Sequence, residues 1–281
     1  MYRLLLVMLT ALLAVALPQS IAQVSNNQVL IRSVPLVIGS THFLRSSVLS
    51  EDRVLNIYLP ASYSSNDTGR FPVIYLLDGG TDEDFIHIVG LVQYLNFPWV
   101  DILKESIVVG IANVDRKRDL TYPTNVREDQ EDLPTQGGSA RFIDFIEKEI
   151  QPYIESNFRT NNSRTILGQS LAGLIAAEIL VKRPSLFTSY IIISPSLWWD
   201  NQSLVRLLRE SARPPLQQKR SIYLAVGKEG KEMEEAVTAF SKALKEMEPG
   251  NPRIYFEYYP DESHATIYHR AVYKAFERLK Q

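Results

Sequence analysis

The part of the sequence best suited to chemistry is a short Gly-x-Ser turn between two regular elements. A short apolar run ends at Gly168, Ser170 lies two residues later, and a helical pattern begins at Leu171. A strand, a sharp turn and a helix in this order are the context in which a Gly-x-Ser-x-Gly string marks a nucleophile, because the turn lifts the hydroxyl above the strand ends. The fifth position is Ala172, which still provides the small side chain that packing needs. Ser170 is therefore the candidate nucleophile, and the alternative is a strand-to-helix turn whose Ser caps the helix.

A serine hydroxyl is a weak nucleophile and must pass its proton to a base, usually His. The sequence contains four His. His264 lies in the loop just after the last predicted strand, at the edge where parallel α/β sheets bind ligands. His42 lies in an early extended segment, and His269 lies one turn into the last predicted helix. His264 is the predicted base, whereas His87, on the helix predicted after the strand at residues 71–77, is expected to line the pocket or to pack.

The third member of such a site is an acid that holds the imidazole in its useful tautomer. In α/β-hydrolase chain order this acid falls between the Ser and the His. The turn at residues 226–232 follows a predicted strand and offers Glu229, with Glu232 already in the next helix. Asp261 is close to His264 in sequence but has to fold back to reach it. Glu229 is the favoured acid; Glu232, Asp261 or a Ser-His dyad without an acid are the alternatives, and Glu229 can also be a solvated first-turn carboxylate.

Nucleophilic attack on a carbonyl also requires an oxyanion hole, with N–H groups aimed at the developing negative charge. One donor is expected from the backbone of Leu171, the residue after the nucleophile. The second is expected from the loop after the predicted strand at residues 71–77, where Gly79 and Gly80 allow the backbone to approach a substrate.

The elements that must position these groups can be inferred from apolar runs and helical spacing. Unbroken apolar runs at residues 71–77 and 107–111 are typical of strands buried on both faces of a mostly parallel sheet. Residues 113–138 form a long polar stretch and predict a loop, and residues 139–158 predict an amphipathic helix. Further strands are predicted up to residue 168 and at 190–193, 221–226 and 253–259, with helices at 85–95, 171–182, 231–247 and 265–279. This alternation predicts one α/β domain over residues 23–281, with helices on both faces of the sheet.

Residues 1–22 are predicted to be a secretory signal peptide. Arg3 supplies a positive charge, residues 4–17 are almost wholly apolar, and small residues surround a cleavage point after Ala22. An uncleaved anchor helix is the alternative. The mature protein is therefore expected to be exported, to the periplasm or fully secreted.

Composition narrows the classes of function. The sequence contains no Cys, so it has neither a disulfide nor a thiolate nucleophile or metal ligand. The formal net charge of −2 gives no basic surface that indicates a nucleic-acid partner. We expect a small-molecule substrate, no metal or other cofactor, and no stable membrane insertion after removal of the signal peptide.

Four stretches together resemble the putative-esterase family of α/β-hydrolases. They are Tyr75–Gly80, Asn113–Thr121, Gly168–Leu174 and Ser194–Asp200. That family includes the esterases that open trilactone siderophores such as enterobactin and bacillibactin, as well as S-formylglutathione hydrolases, feruloyl esterases and mycolyltransferases. The Arg-x-Arg-Asp-Leu-Thr and Ser-Pro-Ser-Leu-Trp-Trp strings are most similar to the siderophore-esterase branch.

The resemblance implies the α/β-hydrolase fold, and roles for Ser170, His264 and Glu229 as nucleophile, base and acid. It also implies that Arg116 and Arg118 lie near the mouth of the pocket, where an Arg pairs with anionic groups. Ion pairs with Asp115 or Asp119 within the same loop are the alternative.

Of the adjacent pair at positions 198 and 199, Trp198 is expected to face the substrate if only one does. The sequence therefore predicts an esterase that works through an acyl-enzyme, on siderophore trilactones or on small acyl and aryl esters. An acyltransferase on the same fold and a non-catalytic ligand-binding protein are the alternatives.

Overall fold

The structure is a computed structural model, and it describes residues 32–64, 68–210 and 220–280. The predicted signal peptide at residues 1–22 lies outside the described residues. The residues from Val37 onward form one compact unit. No helix within the described ranges is long and apolar enough to cross a membrane.

The core of the fold is an eight-stranded, mostly parallel sheet. Its strands are β1 (Ser40–Arg45), β2 (Asp52–Tyr58), β3 (Phe71–Leu77), β4 (Ile107–Ile111), β5 (Thr160–Gln169), β6 (Ser189–Ile193), β7 (Ser221–Gly227) and β8 (Ile254–Tyr259). They are arranged in the order β1-β2-β4-β3-β5-β6-β7-β8. The first two strands pair antiparallel, and β2 is also antiparallel to β4; all other neighbours are parallel. The carboxyl ends of β3 to β8 therefore lie at one edge, where the predicted site residues were expected to meet.

Helices cover both faces of the sheet. They are α1 (Phe85–Leu95), α2 (Arg116–Asp119), α3 (Arg127–Asp132), α4 (Ser139–Phe145), α5 (Gln151–Asn157), α6 (Leu171–Lys182), α7 (Trp199–Glu210), α8 (Lys231–Met247) and α9 (Ile267–Arg278), with a 3₁₀ turn at Ala61–Tyr63. A π-helical stretch at Ile146–Ile150 joins α4 to α5, so the predicted helix at 139–158 is continuous but contains this wider turn. The predicted loop at 113–138 contains the two short helices α2 and α3, and α7 was not predicted at all.

The strands of the sheet centre are buried on both faces, which explains their unbroken apolar sequences. In β3, Val73, Tyr75 and Leu77 point into one apolar cluster, formed with α4 to α8. Ile74 and Leu76 alternate with them and point into a second cluster, formed with α1 and α9. The fold class predicted from the sequence is thus confirmed.

Candidate functional site

The turn between β5 and α6 holds Ser170 in a backbone conformation that non-glycine residues rarely adopt. Its φ is 62° and its ψ is −122°, a strained combination of the kind that clusters at functional sites. The turn is tight because Gly168 has no side chain: a Cβ there would lie 2.5 Å from the Ala172 carbonyl oxygen. The Ser170 amide donates to the Ile193 carbonyl at 3.1 Å, and the Ser196 amide donates to the Ser170 carbonyl at 3.1 Å. The end of β6 therefore fixes the turn.

His264 and Glu229 meet at the same edge of the sheet. The His264 Nδ1 lies 2.5 Å from a Glu229 carboxylate oxygen, and the Glu229 side chain is only 2% exposed whereas that of His264 is 44% exposed. A carboxylate accepts hydrogen bonds, so this contact places the ring proton on Nδ1 and leaves Nε2 as an acceptor. An imidazole held in this tautomer is able to take a proton from a hydroxyl.

The second carboxylate oxygen of Glu229 is also occupied. It accepts a hydrogen bond from the Ser194 hydroxyl and another from the Gly227 amide, the latter at 2.8 Å. Burial raises the pKa of Glu229, but the hydrogen bonds from His264, Ser194 and Gly227 outweigh burial and hold the pKa below its ordinary value. Glu229 is therefore an ionised, fully hydrogen-bonded carboxylate.

The loop that carries His264 packs directly against the end of β7. A Cβ on Gly227 would lie 2.5 Å from the Glu262 carbonyl oxygen, so only glycine permits this approach. The same carbonyl accepts a hydrogen bond from the Lys228 amide at 2.7 Å. The structure brings Glu229 to His264, whereas the alternative acids Glu232 and Asp261 are both exposed to solvent.

A side chain next to the candidate nucleophile links the two parts of the site. The Gln169 carboxamide donates to the His264 backbone carbonyl at 2.5 Å, which places the His264 loop beside the turn that bears Ser170. The Ser170 hydroxyl lies 3.5 Å from the Ser196 hydroxyl. The candidate nucleophile, base and acid thus come from loops after three different strands and converge at one edge of the sheet.

The predicted oxyanion donors differ in their availability. Leu171 is the first residue of α6, where backbone amides lack partners within the helix. The Gly79 amide donates to the Ile111 carbonyl at 3.0 Å, so it is used in the sheet and the prediction that it is a donor is corrected. Gly79 is small for another reason, since a Cβ there would lie 2.4 Å from the Gly110 Cα. The Gly80 amide donates to the Glu83 carboxylate at 2.7 Å, so it already faces a negatively charged oxygen. Gly80 is therefore the remaining candidate donor from this loop.

His87 lies at the contact between α1 and α9 rather than on its own. Its Nε2 is 2.8 Å from Nδ1 of His269, and the two rings stack with centroids 5.1 Å apart. Burial lowers the pKa of His87, and the charge of a protonated His269 lowers it further. This contact corresponds to the packing alternative for His87, and a direct role in substrate binding stays a prediction.

In the described part of the chain, no group of three acidic, His or Cys side chains is placed to hold a metal ion.

The two predicted substrate-binding arginines are paired with carboxylates of the protein. Arg116 forms a two-pronged ion pair with Asp78, at 2.7 and 2.8 Å, and retains a side-chain exposure of 36%. Arg118 contacts Asp119 at 2.7 Å and both oxygens of Glu51, at 2.6 and 3.1 Å. The ion-pair alternative therefore describes Arg118, with Glu51 as an additional partner, whereas Arg116 pairs across to the loop after β3. Substrate binding by either residue stays a prediction.

The two tryptophans differ in exposure, and contact of Trp198 with a substrate stays a prediction. Trp199 is completely buried and donates from its indole N–H to the Tyr122 carbonyl at 2.9 Å, whereas Trp198 is partly exposed. Sequence reasoning missed two features here. Residues 200–202 have φ between 51° and 60°, a left-handed turn within α7, and Ser194, at the end of β6, holds Glu229. For Ser194, the signal available in the sequence was its position just after an apolar strand, at the edge of the sheet where ligands bind.

A family model described as "Putative esterase" matches residues 46–272. Among curated proteins, the ferri-bacillibactin esterase BesA of Bacillus subtilis is 30% identical over 186 residues, which cover 60% of this chain and 63% of that protein. A siderophore triacetylfusarinine C esterase of Aspergillus fumigatus is 29% identical over 188 residues, covering 60% of this chain and 59% of that protein. In both, the match spans less than two thirds of the relative's length.

Solved structures share the fold over most of the chain. An IroE-like serine hydrolase of Shewanella oneidensis superposes with a TM-score of 0.77 at 29% identity, covering 86% of this chain and 80% of that one. The BES protein of Bacillus cereus has a TM-score of 0.74 at 24% identity, over 90% of this chain and 100% of that one. At that lower identity the likeness concerns the fold alone.

Proposed function

Because this chain belongs to the putative-esterase family, we propose that it hydrolyses carboxylic esters through a covalent acyl-enzyme formed on Ser170. The observation that carries the proposal is the 2.5 Å bond between His264 and the buried Glu229, next to a serine whose φ is 62°. A hydroxyl on a strained turn, an imidazole with a fixed tautomer and a buried acid are the three parts of a serine-hydrolase site.

Each of these groups has one part in the proposed reaction. His264 Nε2 takes the Ser170 proton as Ser170 Oγ attacks the ester carbonyl, and the resulting imidazolium is stabilised by the Glu229 carboxylate. The negative charge on the carbonyl oxygen is held by the amides of Leu171 and Gly80. The C–O bond to the alcohol then breaks, the alcohol leaves with the proton from His264, and an acyl-Ser170 ester remains. Water repeats the same steps and releases the acid and the free serine.

The Gly80 amide has to change partner for this role. In the structure it donates to Glu83, and this carboxylate must move aside before an oxyanion takes its place. Because the Glu83 side chain also accepts from the Asn113 carboxamide at 2.6 Å, it keeps a second partner during this movement. The second oxyanion donor is thus proposed to be the amide of Gly80, in the loop that the sequence indicated, and not that of Gly79.

For the substrate we propose a siderophore ester, such as a trilactone. Two of the curated relatives are named as siderophore esterases, at 30% and 29% identity. Small acyl and aryl esters remain substrates for the same chemistry, because the acyl-enzyme mechanism acts on any accessible ester carbonyl. Export to the periplasm or the exterior remains a proposal based on the sequence of residues 1–22.

The direct test compares hydrolysis of p-nitrophenyl butyrate by the protein and by Ser170→Ala. We expect the variant to lose about a thousandfold or more in kcat, because removal of the nucleophile leaves only binding and the oxyanion hole. Labelling of the wild type by a fluorophosphonate, lost in the variant, identifies the reactive residue independently of substrate choice.

The outcomes separate the possible functions. Equal rates in both proteins would exclude Ser170 from the mechanism. No hydrolysis and no labelling would favour a ligand-binding protein, whereas labelling without hydrolysis would favour a selective esterase, to be tested with a ferric trilactone. Transfer of the acyl group to an added alcohol in preference to water would identify an acyltransferase.

A further inference from the structure

Ser194 is a buried residue in an unusual backbone conformation whose hydroxyl has one specific partner. The residue is fully buried, and its φ of 41° lies in the left-handed region that non-glycine residues avoid. Its amide donates to the Ala225 carbonyl at 2.8 Å, which joins the end of β6 to β7. Its hydroxyl donates to the Glu229 oxygen that does not face His264. The strain and the burial are thus combined with a hydrogen bond to the candidate acid.

A carboxylate on a side chain as long as that of Glu needs more than one contact to hold one orientation. In Glu229, one oxygen accepts from the Gly227 amide and the Ser194 hydroxyl, and the other faces His264. The backbone bond alone fixes one point and leaves the carboxyl plane free to turn about it. The Ser194 hydroxyl donates to the same oxygen from the end of a neighbouring strand. Because the lone pairs of a carboxylate oxygen lie in the carboxyl plane, two donors on one oxygen orient that plane and hold the other oxygen toward the imidazole.

We propose that Ser194 is a positioning residue of the esterase reaction: its hydroxyl holds the Glu229 carboxylate in the orientation that keeps His264 in its reactive tautomer. This inference rests on the proposed function, because it assigns Ser194 a role through the proposed acid and base. Ser194 does not touch the substrate in this role. It acts on the rate of the chemical step and leaves substrate binding unchanged.

The test measures kcat and KM for p-nitrophenyl butyrate with Ser194→Ala. A hydrogen bond to a charged group contributes about 1.5–3 kcal/mol, so we expect kcat to fall by roughly 10- to 100-fold with KM changed less than about threefold. Ser139→Ala is the matched control. Ser139 is also fully buried, and its hydroxyl has no hydrogen-bond partner among the described residues, so kcat is expected to be unchanged.

A double-mutant cycle distinguishes positioning from a general structural role. In a Glu229→Ala background the hydroxyl has no carboxylate to hold, so adding Ser194→Ala is expected to lower kcat by less than about twofold. A full 10- to 100-fold further loss in that background would overturn the proposal, as would wild-type kcat in Ser194→Ala alone. If Ser194→Ala does not fold, Ser194→Gly removes the same hydroxyl without the strain of a positive φ and is expected to show the same loss.

A spectroscopic measurement keeps this inference separate from the proposed function. The short bond from His264 Nδ1–H to Glu229 is expected to give a downfield proton resonance that His264→Ala abolishes. Ser194→Ala should shift or broaden this resonance and Ser139→Ala should not, whether or not the protein hydrolyses an ester. An unchanged resonance in Ser194→Ala would overturn the positioning role, while loss of the esterase activity alone would bear only on the proposed function.

Discussion

Two carboxylates of this protein are buried to nearly the same extent but have different hydrogen-bond partners. The Glu229 side chain is 2% exposed and that of Asp119 is 1% exposed. Asp119 accepts from two arginines, Arg53 at 2.6 Å and Arg118 at 2.7 Å. Glu229 accepts from a hydroxyl, a backbone amide and the imidazole of His264. One carboxylate is neutralised by permanent cations, and the other faces an imidazole that takes up a proton in the proposed reaction.

The difference shows how the same burial serves two purposes. The guanidinium of Arg53 is completely buried and also lies over the rings of Phe142 and Phe145, with its central carbon 5.2 and 5.4 Å from their centroids. Removal of either charge there leaves the other buried and only partly compensated, since Arg53 also contacts Glu51 at 2.8 Å and Asp119 also contacts Arg118. The pair is therefore expected to contribute to stability. Among the described residues, the side-chain partners of Glu229 include no Lys or Arg, so its negative charge is available to stabilise an imidazolium. Its contribution is expected in the rate rather than in the fold.

The largest effect is expected from Glu229→Gln. A carboxamide in place of the carboxylate cannot stabilise the imidazolium and offers an N–H to the ring, which favours the wrong tautomer. We expect kcat for p-nitrophenyl butyrate to fall by about 10³- to 10⁴-fold, with the free energy of unfolding in urea changed by no more than about 1 kcal/mol. Glu232→Gln, which changes an exposed carboxylate of the same turn, serves as the control and should keep wild-type kcat. Loss of activity in the control but not in Glu229→Gln would reverse the assignment of the acid.

The second prediction concerns the other carboxylate. Asp119→Ala leaves the Arg53 guanidinium buried with only part of its neutralising charge, so we expect the free energy of unfolding to fall by about 3–5 kcal/mol. The kcat of the folded protein should stay within a few-fold of wild type. Asp52→Ala provides the matched control in the same region, because its ion pair with Arg45 is 76% and 68% exposed and should contribute no more than about 0.5 kcal/mol. Equal destabilisation by both substitutions would show that burial does not distinguish the pairs.

Much of the fold and the positions of the three candidate site residues could be predicted from the sequence. The elbow of Ser170, the loop position of His264 and the turn of Glu229 depend on local signals, namely a glycine, a strand end and chain order. These signals place groups at one edge of a parallel sheet, and the fold follows from apolar runs such as that of β3. The structure confirms the fold and brings Glu229 into contact with His264, while the catalytic roles of the three residues stay predictions.

The features that were missed depend on contacts between distant segments. The partners of Arg116 and Arg118 are Asp78, 38 positions away, and Glu51, 67 positions away, and no local pattern indicates such pairs. The commitment of the Gly79 amide to Ile111 likewise depends on how β3 lies beside β4. The left-handed turn at residues 200–202 contains no glycine, the residue that normally marks such a conformation.

A third carboxylate, that of Asp84, differs from both Asp119 and Glu229 in its surroundings. Asp84 immediately precedes α1, in the loop that carries Gly80. Burial raises its pKa to about 6, and the negative charges of Asp78 and Glu83 add to this effect, against a smaller opposing influence of Arg116. Burial, with two like charges nearby, therefore makes this carboxyl group hold its proton to a higher pH than an unperturbed Asp.

The smallest effect on stability is expected from Asp84→Asn, and it should depend on pH. Because the folded-state pKa of about 6 lies above the unfolded value of 3.8, the native state binds the proton more tightly, so the contribution of Asp84 to stability falls as pH rises from about 4 to about 6 and stays low above that range. Asp84→Asn removes the charge, and since the group is partly exposed to solvent we expect it to stabilise the protein by only about 1 kcal/mol at pH 8, or about 2–4 °C in Tm, and by much less at pH 4.5. Asp82→Asn, at an exposed position of the same loop, should show no such pH dependence. A Tm difference between Asp84→Asn and wild type that is the same at both pH values would mean that Asp84 is ionised throughout this pH range. Solvent, and not a retained proton, would then reduce the energetic cost of burial and of the neighbouring negative charges in this loop.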